Sequence, residues 1–168
     1  FAANSDIQAG MKDVECDYHD TFLTTKNLLD ICTKVKPRSF FFASSSAIYG
    51  DHGQSKIAED SGPLLPTSNY GAMKLASEAI ISSQANIFKD KVCIFRFPNV
   101  VGNPGTHGVV FDFHKKLTLN KNHLDVLGNG LQCKPFLHVD DLIDALVHIS
   151  KLKGNFIELF NIGPDDAG

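Results

Sequence analysis

The sequence predicts an α/β chain in which buried parallel strands alternate with helices. Residues 39–43 and 91–97 are short, continuous apolar runs, Ser39-Phe40-Phe41-Phe42-Ala43 and Lys91-Val92-Cys93-Ile94-Phe95-Arg96-Phe97, the pattern of strands covered on both faces. Longer segments before and between them carry apolar residues at helical spacing. The first strand then ends in a run of hydroxyls, Ser44-Ser45-Ser46. In open α/β sheets ligands bind beyond the carboxyl ends of strands, so these hydroxyls mark the edge to search for a site.

Each element has its own signal. Residues 1–5 are a small-residue turn, and a polar, Gly-containing connection follows. Over residues 17–34, Tyr18, Phe22, Leu23, Leu28, Leu29, Ile31 and Cys32 predict one long amphipathic helix. Lys36-Pro37-Arg38 precedes the first strand, and a long loop punctuated by Gly50, Gly53, Gly62, Pro63 and Pro66 follows it. Loops of this length at a sheet edge are usually functional. Pro66-Thr67-Ser68-Asn69 supplies N-cap residues for a helix whose apolar stripe is Ala72, Leu75, Ala76, Ala79 and Ile80. Arg96, inside the second apolar run, reads as a buried, hydrogen-bonded structural arginine. Beyond residue 102 the alternation gives way to a mixed segment. Residues 103–108 form a loop, and residues 109–119 a helix with Val110, Phe113 and Leu117 inward. A short strand spans 124–127, and Gly128-Asn129-Gly130 makes a turn. Asp140 and Asp141 open a helix running to about residue 151, His138 before it reads as structural, and residues 156–162 form a last strand.

Composition narrows the function classes. At 168 residues and 43% hydrophobic content the chain is about one globular domain. A formal net charge of -3 gives no electrostatic case for nucleic acid or an anionic membrane. No apolar run approaches the roughly 20 residues of a membrane span, and no secretory signal is present. Cys16, Cys32, Cys93 and Cys133 are widely spaced and read as reduced thiols of a cytoplasmic protein. Seven scattered histidines show no zinc-site spacing, so no metal is expected.

Chemistry is concentrated in Tyr70-Gly71-Ala72-Met73-Lys74. A tyrosine and a lysine four residues apart share one helix face. The lysine's charge can lower the phenol's pKa, while a hydroxyl from another segment hydrogen-bonds the same oxygen. Such a trio moves the proton of an alcohol.

Together these residues resemble the extended short-chain dehydrogenase/reductases, specifically the NAD-dependent sugar-nucleotide epimerases and dehydratases. Ser44-Ser45-Ser46-Ala47-Ile48-Tyr49-Gly50 is similar to the family's strand-end motif, whose hydroxyl falls on Ser45, with Ser46 the second choice. Tyr70 and Lys74 match the family pair, 25 residues after Ser45, and Glu78 matches an acid common one turn further on. The resemblance implies a Rossmann-type doubly wound parallel sheet with a smaller mixed substrate-binding region. The cofactor-binding part would span 1–98 and the substrate region mostly 99–138, with 139–168 returning to the core. It implies NAD as cofactor, touched by Ala2, Ala3, Ser5, Ser44, Tyr70, Lys74, Phe97 and Pro98. It also implies a nucleotide-sugar substrate, a UDP-hexose first, met by Ser46, Asn99, Gly108, Val109, Leu127 and Lys134. Lys134 stands where the family carries arginine, so it would neutralise phosphate as a point charge without a bidentate grip. Thr21 stands where an asparagine of the family's solvent relay is usual. The family's Gly-rich phosphate loop is not in this sequence, so the reading is of a fragment whose first strands lie upstream of Phe1, with weak cofactor affinity by itself. Family members commonly dimerise through the helices near 17–34 and 69–89; burial of both stripes on the chain's own sheet is the alternative.

Within the resemblance, the reaction follows from neighbours of Ser45. Family dehydratases follow their hydroxyl residue with Asp-Glu, and decarboxylases usually keep the glutamate; this chain has Ser46-Ala47 there. What remains is 4-epimerisation through a 4-keto sugar, of UDP-glucose/UDP-galactose type. Ser45, Tyr70 and Lys74 are then the catalytic set. A sugar-nucleotide reductase using NADPH and a non-catalytic dinucleotide-binding protein are the alternatives.

Overall fold

The computed structural model describes residues 3–4, 7–53, 55–105, 107–154 and 156–164. Three parallel strands, β1 (Ser39–Ser45), β2 (Lys91–Phe97) and β5 (Ile157–Asn161), form one sheet in the order β1-β2-β5. The apolar runs account for β1 and β2, since strands sandwiched between helices are apolar on both faces. Their register sets Ser44 beside Arg96 and Arg96 beside Asn161, a polar row at the carboxyl edge of an otherwise apolar sheet.

Helices α1 (Ile7–Lys12), α2 (Val14–Asp17), α3 (Thr24–Val35) and α4 (Asn69–Ser83) precede and follow β1. Leu29, Cys32, Phe40, Phe42, Ile81, Ala85, Phe88, Val92 and Ile94 make the core on one sheet face. On the other face α6 (Val139–Lys151) covers Cys93 and Phe95 with Ile149 and Leu146. Lys91 fastens that helix, its ammonium donating to the carbonyls of Ile149, Ser150 and Leu152 at 2.8–3.0 Å. These are the orphan acceptors at a helix C-terminus, where the dipole favours a cation. Ser68 caps α4 by accepting from the Gly71 N–H, and His138 caps α6 by accepting from Asp140, as a structural histidine should.

Several elements depart from the sequence pattern. The helix expected over 17–34 is interrupted by a π-helical stretch, Tyr18–Leu23, between α2 and α3. Its buried line is Asp17, Thr21, Thr25, Leu29 and Cys32, while Leu28 and Ile31 face outward at 46% and 56% exposure. Helix α4 is turned likewise: Gly71, Lys74, Ser77, Glu78 and Ile81 point inward, and the Ala72, Leu75, Ala76, Ala79 and Ile80 stripe is half-buried or exposed. Polar atoms at the sheet edge are partners for that inward face, and they outweigh the apolar periodicity. The α5 helix (Val109–Leu119) forms as expected but buries no residue; Val110 and Leu117 are exposed. The strand expected at 124–127 is irregular chain. Asn99–Val101 (β3) instead pairs in parallel with Phe136–His138 (β4), a two-stranded sheet built from runs too short to show a period.

Candidate active site

The inward turn of α4 brings the expected catalytic residues to the carboxyl end of β1. Gly71 permits this approach, because a Cβ there would sit 2.6 Å from the Ala47 carbonyl oxygen. Ser45 ends β1 and accepts from the Ala47 N–H at 3.2 Å, and its hydroxyl neighbours the Tyr70 phenol closely enough to pull that phenol's pKa down. One helical turn on, the Lys74 ammonium donates to the Ala43 carbonyl at 2.7 Å. It lies over the rings of Phe42 and Tyr70, 5.0 and 5.6 Å from their centroids. Ser45, Tyr70 and Lys74 are therefore one constellation.

Its electrostatics differ from the sequence expectation. Burial pushes the Tyr70 phenol above its ordinary value, the Ser45 hydroxyl pulls it down, and the Asp17 carboxylate pushes it up again. Burial also pushes the Lys74 ammonium down to about 8, against the pull of Glu78. The expected lowering of the phenol by Lys74 is not the balance in this arrangement, because the ammonium is turned to a backbone carbonyl and is itself desolvated.

Lys74 supplies a pH test. Its folded value lies below the ordinary lysine value of 10.5, so the unfolded chain binds more protons between pH 8 and 10.5. Stability should therefore rise with pH across that window, and the gain is lost as pH falls through about 8. The amount is on the order of 3 kcal/mol at about 1.4 kcal/mol per unit. Above pH 10 the raised Tyr70 value acts oppositely, because the unfolded phenol ionises first. Because the buried Cys32 and Cys93 thiols, held above their ordinary value, pull stability the other way in both proteins, the check is the difference: urea midpoints of the wild type should rise relative to those of Lys74→Met from pH 7.5 to 10.

Behind the trio lies a second, buried network. Glu78 receives Arg96 through Nε (3.1 Å) and Nη2 (2.7 Å), and Ser44 Oγ donates to its Oε1 at 2.5 Å. Arg96 Nη1 donates to the Tyr49 hydroxyl at 2.8 Å and to the Glu59 carbonyl at 2.9 Å. Tyr49 donates onward to Asn161 Oδ1 at 2.7 Å. Asn161 holds the long loop as well, giving its Nδ2 proton to the Ile57 carbonyl and its backbone N–H to Glu59 Oε1. The structural reading of Arg96 is correct, and Ser44 is committed to Glu78. Sequence reasoning missed Tyr49, Glu59 and Asn161; the parallel register of β2 and β5 was the signal needed.

Other expected site residues are distributed more widely. Phe97 and Pro98 are half-buried just past the β2 end, Ala3 is half-buried in its turn, and Ala2 and Ser5 lie outside the described residues. Ser46 and Asn99 are exposed near the sheet edge, and Gly108 and Val109 are exposed at the start of α5, where Gly108 has φ +96°. Leu127 and Lys134 are exposed on the irregular segment between α5 and β4. His52 hydrogen-bonds the Tyr49 carbonyl at 2.8 Å. Cys32 and Cys93 are buried free thiols. Among the described residues no cluster could hold a metal ion, and no helix is long and apolar enough to cross a membrane.

A hydroxyl, a phenol and an ammonium gather at the carboxyl edge of a parallel sheet, the arrangement expected from the resemblance to the short-chain dehydrogenase/reductases. Residues 1–163 match the NAD dependent epimerase/dehydratase family, and the chain belongs to it. A solved UDP-galactose 4-epimerase superposes with a TM-score of 0.85 at 32% identity, over 99% of this chain and 55% of that one. UDP-glucuronic acid 4-epimerase from Bacillus cereus, solved with UDP-glucuronic acid and NAD, gives 0.86 at 28% identity over 99% and 53%. The dTDP-D-glucose 4,6-dehydratase of Dictyostelium discoideum is 28% identical over 87% of this chain and 36% of its own length. The chain thus spans about half the length of the proteins it resembles. The parallel sheet is the Rossmann-like arrangement of these epimerases. The donor set suits the family's NAD: the Lys74 ammonium gives one proton to the Ala43 carbonyl and keeps two for hydroxyl acceptors such as those of a ribose.

Proposed function

We propose that the whole protein interconverts nucleotide sugars epimeric at C4 through a 4-keto intermediate, with UDP-glucose and UDP-galactose the first pair to test. The observation that carries this reading is the Tyr70 ring beside the strand-end Ser45, with the buried Lys74 ammonium one helical turn on and 5.6 Å from the ring centroid. Tyr70 would take and return the sugar hydroxyl proton, and Ser45 would hold the same oxygen as it changes between alcohol and ketone. Lys74 would bind the nicotinamide ribose and, once turned from Ala43, lower the phenol. NAD, when bound, supplies the hydride acceptor and donor. Ser46 and Ala47 favour epimerisation over dehydration, because neither can act as an acid on the neighbouring carbon.

Around this centre, Ala3, Phe97 and Pro98 would meet the cofactor, as would Ala2 and Ser5. Ser46, Asn99, Gly108, Val109, Leu127 and Lys134 would meet the nucleotide sugar, residues 99–138 forming most of its cover. The outward Leu28, Ile31 and Val35 on α3 suit a homodimer through α3 and α4. The test uses one preparation of the full-length protein. UDP-galactose should form from UDP-glucose with no net change in absorbance at 340 nm, and light scattering should give twice the chain mass. Stoichiometric consumption of NADPH with a keto-sugar nucleotide would replace this reading by the reductase. Bound dinucleotide with no turnover of either kind would leave a binding protein.

A further inference from the structure

The first turn of α4 carries a side chain whose partner lies in another helix. Ser68 caps α4 by accepting from the Gly71 N–H at 3.1 Å, and its carbonyl accepts from Ala72 at 3.0 Å. Asn69, between that cap and Tyr70, reaches away instead: its Nδ2 donates to the Gly10 carbonyl of α1 at 2.9 Å. An anchor positions something only if it is itself fixed. Gly10 is buried, and a Cβ there would overlap Asp17 Oδ2, so the α1 backbone rests directly on a fully buried side chain. Asp17 is held in turn, its Oδ1 accepting from Asn4 Nδ2 at 2.8 Å, while the Asn4 N–H donates to the buried Thr21 Oγ1 at 3.2 Å. Helix α1, the turn at residues 3–4 and the π-helical stretch are thus one unit, and Asn69 ties the start of α4 to it. Across the same turn of α4, about 200° around the helix, Gly71 closes on the Ala47 carbonyl, where a Cβ would sit at 2.6 Å. Tyr70 lies between these two contacts.

We propose that Asn69 is a positioning residue that acts through Tyr70: its bond to Gly10 stops the start of α4 from rocking about the Gly71 contact and keeps the phenol aimed at the reacting oxygen. Lys74 and Glu78 select the inward face of α4, but they sit one and two turns further on, with partners in β1 and β2. The tilt of the first turn is left to Asn69 and Gly71. A reacting group displaced by about 1 Å costs about 10²-fold in rate, so a single tether at this point has a large lever on the chemistry and little on binding. The inference rests on Tyr70 being the acid-base group of the proposed reaction, and the two fail on different results.

The test is steady-state kinetics of the full-length protein in light and heavy water. Asn69→Asp keeps the shape of the side chain and puts an acid in the first turn of α4, where the helix dipole favours it, but it replaces the donor facing Gly10 by an acceptor. A residue serving only the helix would therefore give a protein at least as stable, with unchanged turnover. Under the proposal kcat falls by about 10- to 100-fold, KM for the nucleotide sugar stays within about threefold, and the solvent deuterium isotope effect on kcat grows as proton transfer slows. Wild-type kcat in Asn69→Asp overturns the proposal. So does a fall in kcat with an unchanged isotope effect, which marks lost folded protein and not a misplaced proton carrier. Should Asn69→Asp fail to fold, Asn69→Ala, which only deletes the donor, is read by the same two criteria. Full turnover in Tyr70→Phe, or none in the wild type, would strike the acid-base reading first and this proposal with it.

Discussion

Tyr70→Phe in the full-length protein is expected to lower kcat for nucleotide-sugar turnover by about 10²- to 10⁴-fold, the usual contribution of a positioned acid-base group. The ring is half-buried above Lys74, and only its hydroxyl is lost, so folding and sugar affinity should change little. Ser45→Ala should cost less, about 10- to 100-fold, because it removes one hydrogen bond to the reacting oxygen and leaves the proton carrier. Steady-state kinetics of the three proteins, with circular dichroism for folding, check the order. Turnover in Tyr70→Phe within threefold of wild type would remove Tyr70 from the chemistry.

The largest stability effect is expected at Arg96. Arg96 and Glu78 pair with side-chain exposures of 5% and 6%, so Arg96→Met leaves a buried carboxylate with the Ser44 hydroxyl as its remaining hydrogen-bond donor among the described residues and the desolvated Lys74 as its nearby cation. Breaking one side of such a pair costs about 3–5 kcal/mol. For a chain of this size that lowers the Tm by roughly 10 °C. The loop carrying Glu59 loses one of its anchors in the same step and keeps those from Asn161. Arg96→Met combined with Glu78→Leu should recover most of the loss, because no charge is then stranded. Urea denaturation of both singles and the double variant measures the coupling. Additive losses would show that the pair is not the source.

Much of this architecture can be read from the residues. Phe40 to Ala43 and Val92 to Phe95 declare buried strands because sheets sandwiched by helices are apolar on both sides. The distance from Ser45 to Tyr70 along the chain matches a known family, and the fold brings the two to the same end of β1. Rotation of the helices was less legible. Apolar period would have pointed Leu28 and Ala79 inward, yet Asp17, Thr21, Lys74 and Glu78 occupy those interiors because their partners come from other segments. A polar residue becomes a core residue only once its acceptor is known, and Ala43, Ser44 and Arg96 are supplied by tertiary contact. The pairing of Asn99–Val101 with Phe136–His138 is equally non-local and too short for any local signal.

The inward face of α4 has a mechanical consequence. Turning that helix by a single residue, about 100°, would carry Lys74 and Glu78 off the atoms that neutralise them. Hydrocarbon contacts tolerate such sliding, whereas ionic ones forfeit several kcal/mol at once. The phenol's aim is thus indexed like a key in a slot: the penalty for every other rotational setting, more than attraction at the phenol itself, keeps it on target.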